Sequence, residues 1–433
     1  MTRKRLVLPV VGIIALLLLA IGVAGYFVWH QFDYYGALEE PVSAAVSDYH
    51  FDLFRYEIDA ITGKLYDWWR RPGSRLSVEE QKELVDQYRW RALRIRWLAD
   101  DIERIYADPD VSDPEAVSAS LREQLAELAR VQEEARPLVE AILERQVADQ
   151  LDQLGLTTAG VLFPPLFFNF SELPKNLIVS PRDRIEMEAG VQLRSDLSLP
   201  EIEKIEDEVA REFDRSTLIE DLGGLGVWPT MVMDDSSLAW TLTTIAHEWV
   251  HTYLAFHPLG WHMFDSREMN IINETVATIV GDEVGQAVAH EIYGIPLPPP
   301  PVDDESELPE PDPDVFDFRT EMRRTRLKVD ELLEAGKVEE AEDYMEARRR
   351  LFVEHGYAIR KLNQAYFAFH GNYATRAAAS DPIGPKLQEL RRLTPDLATF
   401  VHVVQGIAKP EDLDRLLAEW RVRSGSSVEA GGE

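Results

Sequence analysis

Two neighbouring stretches, 241–254 (TLTTIAHEWVHTYL) and 271–281 (IINETVATIVG), are apolar at helical spacing, yet both carry ionisable groups. A helix buried on most of its surface must give such groups a partner, so these residues constrain the fold more than any others. The first stretch contains His247-Glu248-Trp249-Val250-His251, an H-E-x-x-H. On a helix, positions i and i+4 share a face one turn apart. His247 and His251 therefore aim two imidazoles at one point, as a single metal ion requires. Glu248 sits too far round the helix to be a good third ligand. It is well placed to take a proton from an activated water. A motif this short also arises by chance, and two buried histidines satisfied by hydrogen bonds would read the same way.

A catalytic zinc takes three protein ligands and keeps one position open. Two residues compete for the third place. His257 follows His251 by the interval found in H-E-x-x-H-x-x-G-x-x-H, the metzincin pattern. That pattern needs a glycine where this chain has Leu254, and Pro258 then ends the helix close by. Glu274 is the stronger candidate, as a carboxylate on the buried side of the second stretch. H-E-x-x-H followed by Asn273-Glu274-Thr275-Val276-Ala277 resembles the paired motifs of the gluzincins, the thermolysin- and aminopeptidase-like zinc peptidases. The resemblance spans Thr241 to Gly281. It implies a zincin-like catalytic core, Zn2+ held by His247, His251 and Glu274, and Glu248 as the general base of peptide-bond hydrolysis. The chain departs from the thermolysin-like pattern at Thr278, where that pattern has an aspartate orienting a ligand histidine. A hydroxyl is a weaker partner for that task, and Asp282 and Glu283 have a different helical phase.

The 433 residues allow two or three domains, and their formal net charge is −32. A polyanionic surface repels nucleic acid and acidic lipid headgroups, which argues against both as partners. The chain has no cysteine, which excludes thiol catalysis, disulfides and Cys-ligated zinc. Residues 1–5, with Arg3, Lys4 and Arg5, precede an uncharged apolar run from Leu6 to Trp29. The run is long enough to span a bilayer and lacks a good cleavage signal, so it reads as a transmembrane signal anchor. The basic residues stay inside, which predicts a single-pass membrane protein with its catalytic part extracytoplasmic.

Residues 36–155 read as a helical region. Ser77 and Glu80 form a capping box, and Asp113-Pro114 starts a second helix that Pro137 should kink. Trp68, Trp69, Trp90 and Trp97 read as core. The catalytic core should occupy 156–295. Within it, 177–179, 185–193 and 227–233 read as short strands, and a helix runs from Ser198 to about Phe213. Pro229 would confine its strand to an edge or an end. In zinc peptidases of this type an edge strand above the H-E-x-x-H helix pairs with the substrate backbone, and 227–233 fits that place. The Gly223-Gly224 turn before it is a second candidate contact. Residues 296–314, PLPPPPVDDESELPEPDPD, predict an extended acidic linker or loop. Residues 315–424 are helical again, with a break at Gly336, and 425–433 read as a disordered tail. Between Asn363 and Tyr373 polar groups interrupt an aromatic run. By resemblance to zinc peptidases that hold the oxyanion with a Tyr or His from a C-terminal helical region, Tyr373 and His370 are catalytic candidates, with Tyr366 behind them. The stretch is also distantly similar to a helix of bacterial membrane-anchored aminopeptidases.

These readings converge on an α+β, predominantly helical fold with a small sheet near the active helix. The expected function is that of a membrane-anchored zinc peptidase acting on peptide or protein substrates. A zinc hydrolase of non-peptide amides or esters shares every residue named. A noncatalytic, membrane-tethered binding protein with a relict zincin fold is the reading from another class, and Thr278 is its best support.

Overall fold

The computed structural model describes residues 38–298 and 316–430, apart from much of 54–75 and the short stretches 108–110, 158–160, 226, 235–236 and 372–381. The expected anchor at 6–29, Trp68, Trp69, Tyr373 and most of the acidic segment lie outside the described residues. Among the described residues no helix is long and apolar enough to cross a membrane.

Among the described residues the chain is predominantly helical, with two small sheets. Its elements are α1 (Glu39–Ala45), α2 (Val78–Ala107), α3 (Pro114–Gln153), β1 (Phe168–Phe170), β2 (Lys175–Ser180), β3 (Ala189–Leu193), α4 (Leu199–Phe213), β4 (Ser216–Asp221), β5 (Gly224–Leu225) and β6 (Thr230–Val232). There follow α5 (Leu238–Leu254), α6 (Pro258–Trp261), α7 (Arg267–Tyr293), α8 (Phe318–Glu334), α9 (Val338–Glu354), α10 (Gln364–His370), α11 (Ile383–Leu393), α12 (Leu397–Val404) and α13 (Pro410–Ala430). Helix α3 continues through Pro137. The last helix runs past 424, where a tail was expected.

The first sheet has the order β3-β2-β4 and is antiparallel throughout. Side chains of a strand alternate between its faces. Leu177 and Val179 of β2 accordingly join Ile205 and Val209 of α4, while Ile178 faces Ala365 of α10. Covered on both faces, β2 is apolar at three successive positions, Leu177, Ile178 and Val179, and alternation alone does not delimit it. Buried Glu206 of α4 pins the layers together. It accepts from the Ile219 amide at 2.6 Å, from Arg360 at 2.5 and 2.9 Å, and from Lys361 at 3.1 Å. These cations outweigh the effect of burial and hold its carboxyl below the usual range.

The second sheet has the order β1-β6-β5, with β1 parallel and β5 antiparallel to β6. The strand expected over 227–233 is therefore not the edge. Pro229, which has no amide hydrogen, stands just before β6, and Thr230–Val232 takes the centre. Gly224–Leu225, expected as a turn, forms an edge strand. At the other edge, the outward amides of Phe168 and Phe170 donate to Glu144 (3.0 Å) and Glu140 (2.7 Å) of α3. Lys64 bridges both carboxylates at 2.9 and 2.6 Å. Helix α3 thus closes the β1 edge, and β5 is left as the edge beside α5.

Two carboxylates and one ammonium leave the buried Lys64 cluster one charge short of neutrality. Burial pushes Glu144 up to about 7, against the pull of Lys64. A carboxyl whose folded pKa is raised contributes stability that is complete below its unfolded value of about 4.5 and is lost as pH rises through about 7. Glu144→Gln keeps an acceptor for the Phe168 amide and removes the titration. It should flatten the decline in stability between about pH 4.5 and 7, a decline on the order of 2–3 kcal/mol. Urea unfolding at pH 5 and pH 8 checks this; an unchanged slope would show that Glu144 does not set it.

The main core lies under the second sheet. Val139, Ile142, Leu143 and Val147 of α3 pack with Leu242, Ile245 and Trp249 of α5, Val276 and Val280 of α7, and Leu387 and Phe400 of α11 and α12. Trp90 and Trp97, expected in the core, are exposed on the outer face of α2, at 65% and 51% of their surface. Their helix buries Val85, Tyr88, Ala92 and Leu98 instead. Tryptophan type misleads there, because the helical phase puts both indoles opposite the packed side.

Candidate metal centre

Helices α5 and α7 carry the centre and are built to lie close together. Ser237 caps α5 by accepting from the Trp240 amide (3.3 Å), and Ser266 caps α7 by accepting from the Met269 amide (3.2 Å). Gly281 and Gly285 of α7 face α5. A Cβ added to Gly281 would lie 2.9 Å from the His247 Cβ, and one added to Gly285 would lie 2.3 Å from the Thr243 amide nitrogen. Two glycines one turn apart therefore set the approach that lets Glu274 of α7 reach the histidines of α5.

His247, His251 and Glu274 bring one ligand atom each to within 4.8 Å of one another, and among the described residues they are the one group of three or more such side chains that could hold a metal ion. The two Nε2 atoms are 3.1 Å apart. Glu274 Oε2 lies 3.6 Å from His247 Nε2 and 3.7 Å from His251 Nε2. Those carboxylate distances are too long for good hydrogen bonds. Oε2 is buried and has no hydrogen-bond partner. Ligands about 2.05 Å from one tetrahedral ion sit about 3.3 Å from each other, and the three separations bracket that value. A buried carboxylate oxygen without a hydrogen-bond partner, facing two ring nitrogens, is an arrangement that could hold a cation.

The electrostatics agree. Burial works against the charged form of both Glu274 and His251, but their mutual attraction wins. It holds the Glu274 carboxyl well below its usual range and raises His251 to about 9. The two shifts are one attraction seen from each partner, between the Glu274 carboxylate and the charged His251 ring.

Asn273 orients one ring. Its Oδ1 pairs with His251 Nδ1 at 2.9 Å, and its amide donates to the Leu259 carbonyl at 3.3 Å. This leaves Nε2 to face Glu274. Thr278, singled out for the orienting position, instead donates its hydroxyl to the Glu274 backbone carbonyl at 2.8 Å. Glu283 is held by Arg391 at 2.6 and 2.8 Å. Asn273→Ala should weaken metal affinity about 10–100-fold, the usual cost of losing an orienting partner. Competition with a chelating dye measures it, and an unchanged affinity would remove Asn273 from the site.

Glu248 is 7% exposed. Its carboxylate accepts no hydrogen bond from a described residue, and it lies against β5. A Cβ on Gly224 would come 2.3 Å from its Oε1. Burial raises its pKa, with the His247 and His251 rings opposing. A base brought nearer to neutral is better matched to proton transfer at physiological pH.

The other candidates fall elsewhere. Helix α5 ends at Leu254, and His257 stands at the start of α6, without a side-chain cap bond, its ring 4.5 Å from that of Tyr253. It is outside the cluster. His370 ends α10, beside the rings of Tyr366 (4.2 Å) and Phe369 (5.1 Å), on a helix that packs against β2 and β4. It too is outside the cluster, and Tyr373 lies outside the described residues. Sequence reasoning missed Asn273 as an orienting residue, although its place just before Glu274 was a signal. It also missed Gly281 and Gly285, whose one-turn spacing marks a close helix crossing. Comparison of the chain with protein-family models, curated proteins and solved structures finds no match.

Proposed function

We propose that this chain is a zinc-dependent peptidase with a gluzincin-like centre, tethered to a membrane by residues 6–29 and acting outside the cytoplasm. The observation that carries the reading is the unpaired, buried Glu274 oxygen facing two imidazoles, with the carboxylate of Glu248 beside them. A His₂Glu set suits zinc, which when bound supplies Lewis acidity and lowers the pKa of a water at its open position. The protein's own groups supply the rest. Glu248 takes a proton from the attacking water and returns it to the leaving amine. Asn273 fixes the His251 ring. The edge strand β5 offers backbone groups to an extended peptide beside Glu248, and Gly224 leaves room for the Glu248 carboxylate. Of the two oxyanion-donor candidates, His370 lies on a helix packed against the other sheet, which leaves Tyr373 for that role.

The engagement of Thr278 with its own helix favours the noncatalytic alternative, since the residue four places after Glu274 is not a carboxylate. A free base beside the ligands argues against it, because a purely structural metal has no use for one. The test is metal analysis of the detergent-solubilised full chain, together with digestion of a mixed peptide library with and without a chelator. One zinc per chain and chelator-sensitive cleavage are expected. Zinc without cleavage of any peptide would move the reading to a non-peptide hydrolase or a binding protein. A chain that takes up no metal would end it.

A further inference from the structure

We propose that the exposed Trp90–Arg94–Trp97 face of α2 is the docking site for the chain's own acidic, proline-rich segment, residues 299–314. Positions 90, 94 and 97 share one helical face. Both indoles are largely exposed there, opposite the side that packs into the core. Arg94, between them, is exposed and has no partner among the described residues. The surrounding charge is anomalous. In a chain of net charge −32, residues 87–99 contain four arginines and no acid. Arg89 meets Asp86 at 3.6 Å, Arg91 donates to Gln132 at 3.1 Å and Arg96 is engaged as well, which leaves Arg94 as the one of the four without a partner among the described residues.

The segment has matching chemistry. Residues 299–314 carry seven Asp and Glu, no basic residue and six prolines. Proline-rich chain in its preformed extended helix lays its rings on aromatic faces. Carboxylates interleaved with the prolines answer arginine.

The path out of α7 also fits. Tyr293, its last residue, donates to Gln146 Oε1 at 2.8 Å, and Gln146 donates to Gln81 Oε1 of α2 at 3.2 Å. Gly294, at φ 68°, then turns the chain away. The segment therefore leaves the fold beside the first turns of α2. From Gln81 to Trp97 is about 24 Å along the helix at its usual rise. At about 3.1 Å per residue of extended proline-rich chain, about eight residues cover it. Docking in cis covers two exposed indoles and pairs an unmatched arginine. It requires no metal and is independent of the function proposed above.

The absence of cysteine permits a clean test in the full chain. Gln87→Cys lies on the same face of α2, and Ser306→Cys lies in the segment; neither changes a charge. Mild oxidation of this pair should give a bridge within one molecule. The same pair combined with Arg94→Glu and Trp97→Ser should bridge about tenfold more slowly or worse, since an ion pair and an aromatic contact are lost. High salt should slow the parent pair in the same direction. All three altered α2 positions are exposed, and circular dichroism checks that the fold is retained. Equal rates in the two backgrounds would reduce the bridge to simple tethering and overturn the proposal. Bridging mainly between molecules would assign the face to a second copy and overturn docking in cis. No bridge, with both thiols reactive to maleimide, would also overturn it.

Discussion

Glu248→Gln should retain one metal ion per chain and lose about 10²–10⁴-fold in kcat, the usual contribution of a positioned general base. The substitution is nearly isosteric, so the side chain keeps its packing against Gly224, where the fit is tight. His247, His251 and Glu274 are untouched, so metal content should not change. What disappears is the acceptor for the proton of the attacking water. The measurement is turnover of the best library peptide, alongside zinc analysis of the same sample. Unchanged turnover would remove Glu248 from the mechanism. Loss of metal together with activity would make Glu248 part of the metal's surroundings instead of its base.

Glu274→Ala should abolish stoichiometric metal binding. It leaves two imidazoles as the only protein ligands of the cluster. The loss should be roughly 10³-fold or more in affinity, beyond the 10–100-fold that follows loss of an orienting partner alone. Because an ion bound only by the folded chain raises stability by mass action, the effect also appears in heating. The parent chain should melt at higher temperature when zinc is added, and Glu274→Ala should show no such rise. His257→Ala is the control, since its ring packs on Tyr253 away from the cluster. Loss of metal in His257→Ala with retention in Glu274→Ala would reverse the assignment of the third ligand.

Local order fixed much of this protein in its sequence. Helix α5 with its two histidines, the Asn273–Glu274 helix, the helix start at Ser198 and the break at Gly336 are all set by residues within a few positions of one another. Hydrogen-bond capping and helical periodicity act over that range, so those features are legible in the string of residues. The choice between His257 and Glu274 was legible in part, because Leu254 lacks the glycine's freedom to break the helix.

Contacts between residues distant in the chain decided the rest. Which strand forms an edge depended on Glu140 and Glu144 reaching across to β1. Whether Trp90 faces the core depended on which side of α2 meets its neighbours. That the two helices carrying the cluster approach closely enough depended on Gly281 and Gly285 lying against His247 and Thr243. Residue identity determined the chemistry that each helix can offer. Only tertiary packing decided which groups meet, because distance and desolvation, the two quantities that give a carboxylate between two imidazoles its affinity for a cation, do not exist until the helices touch.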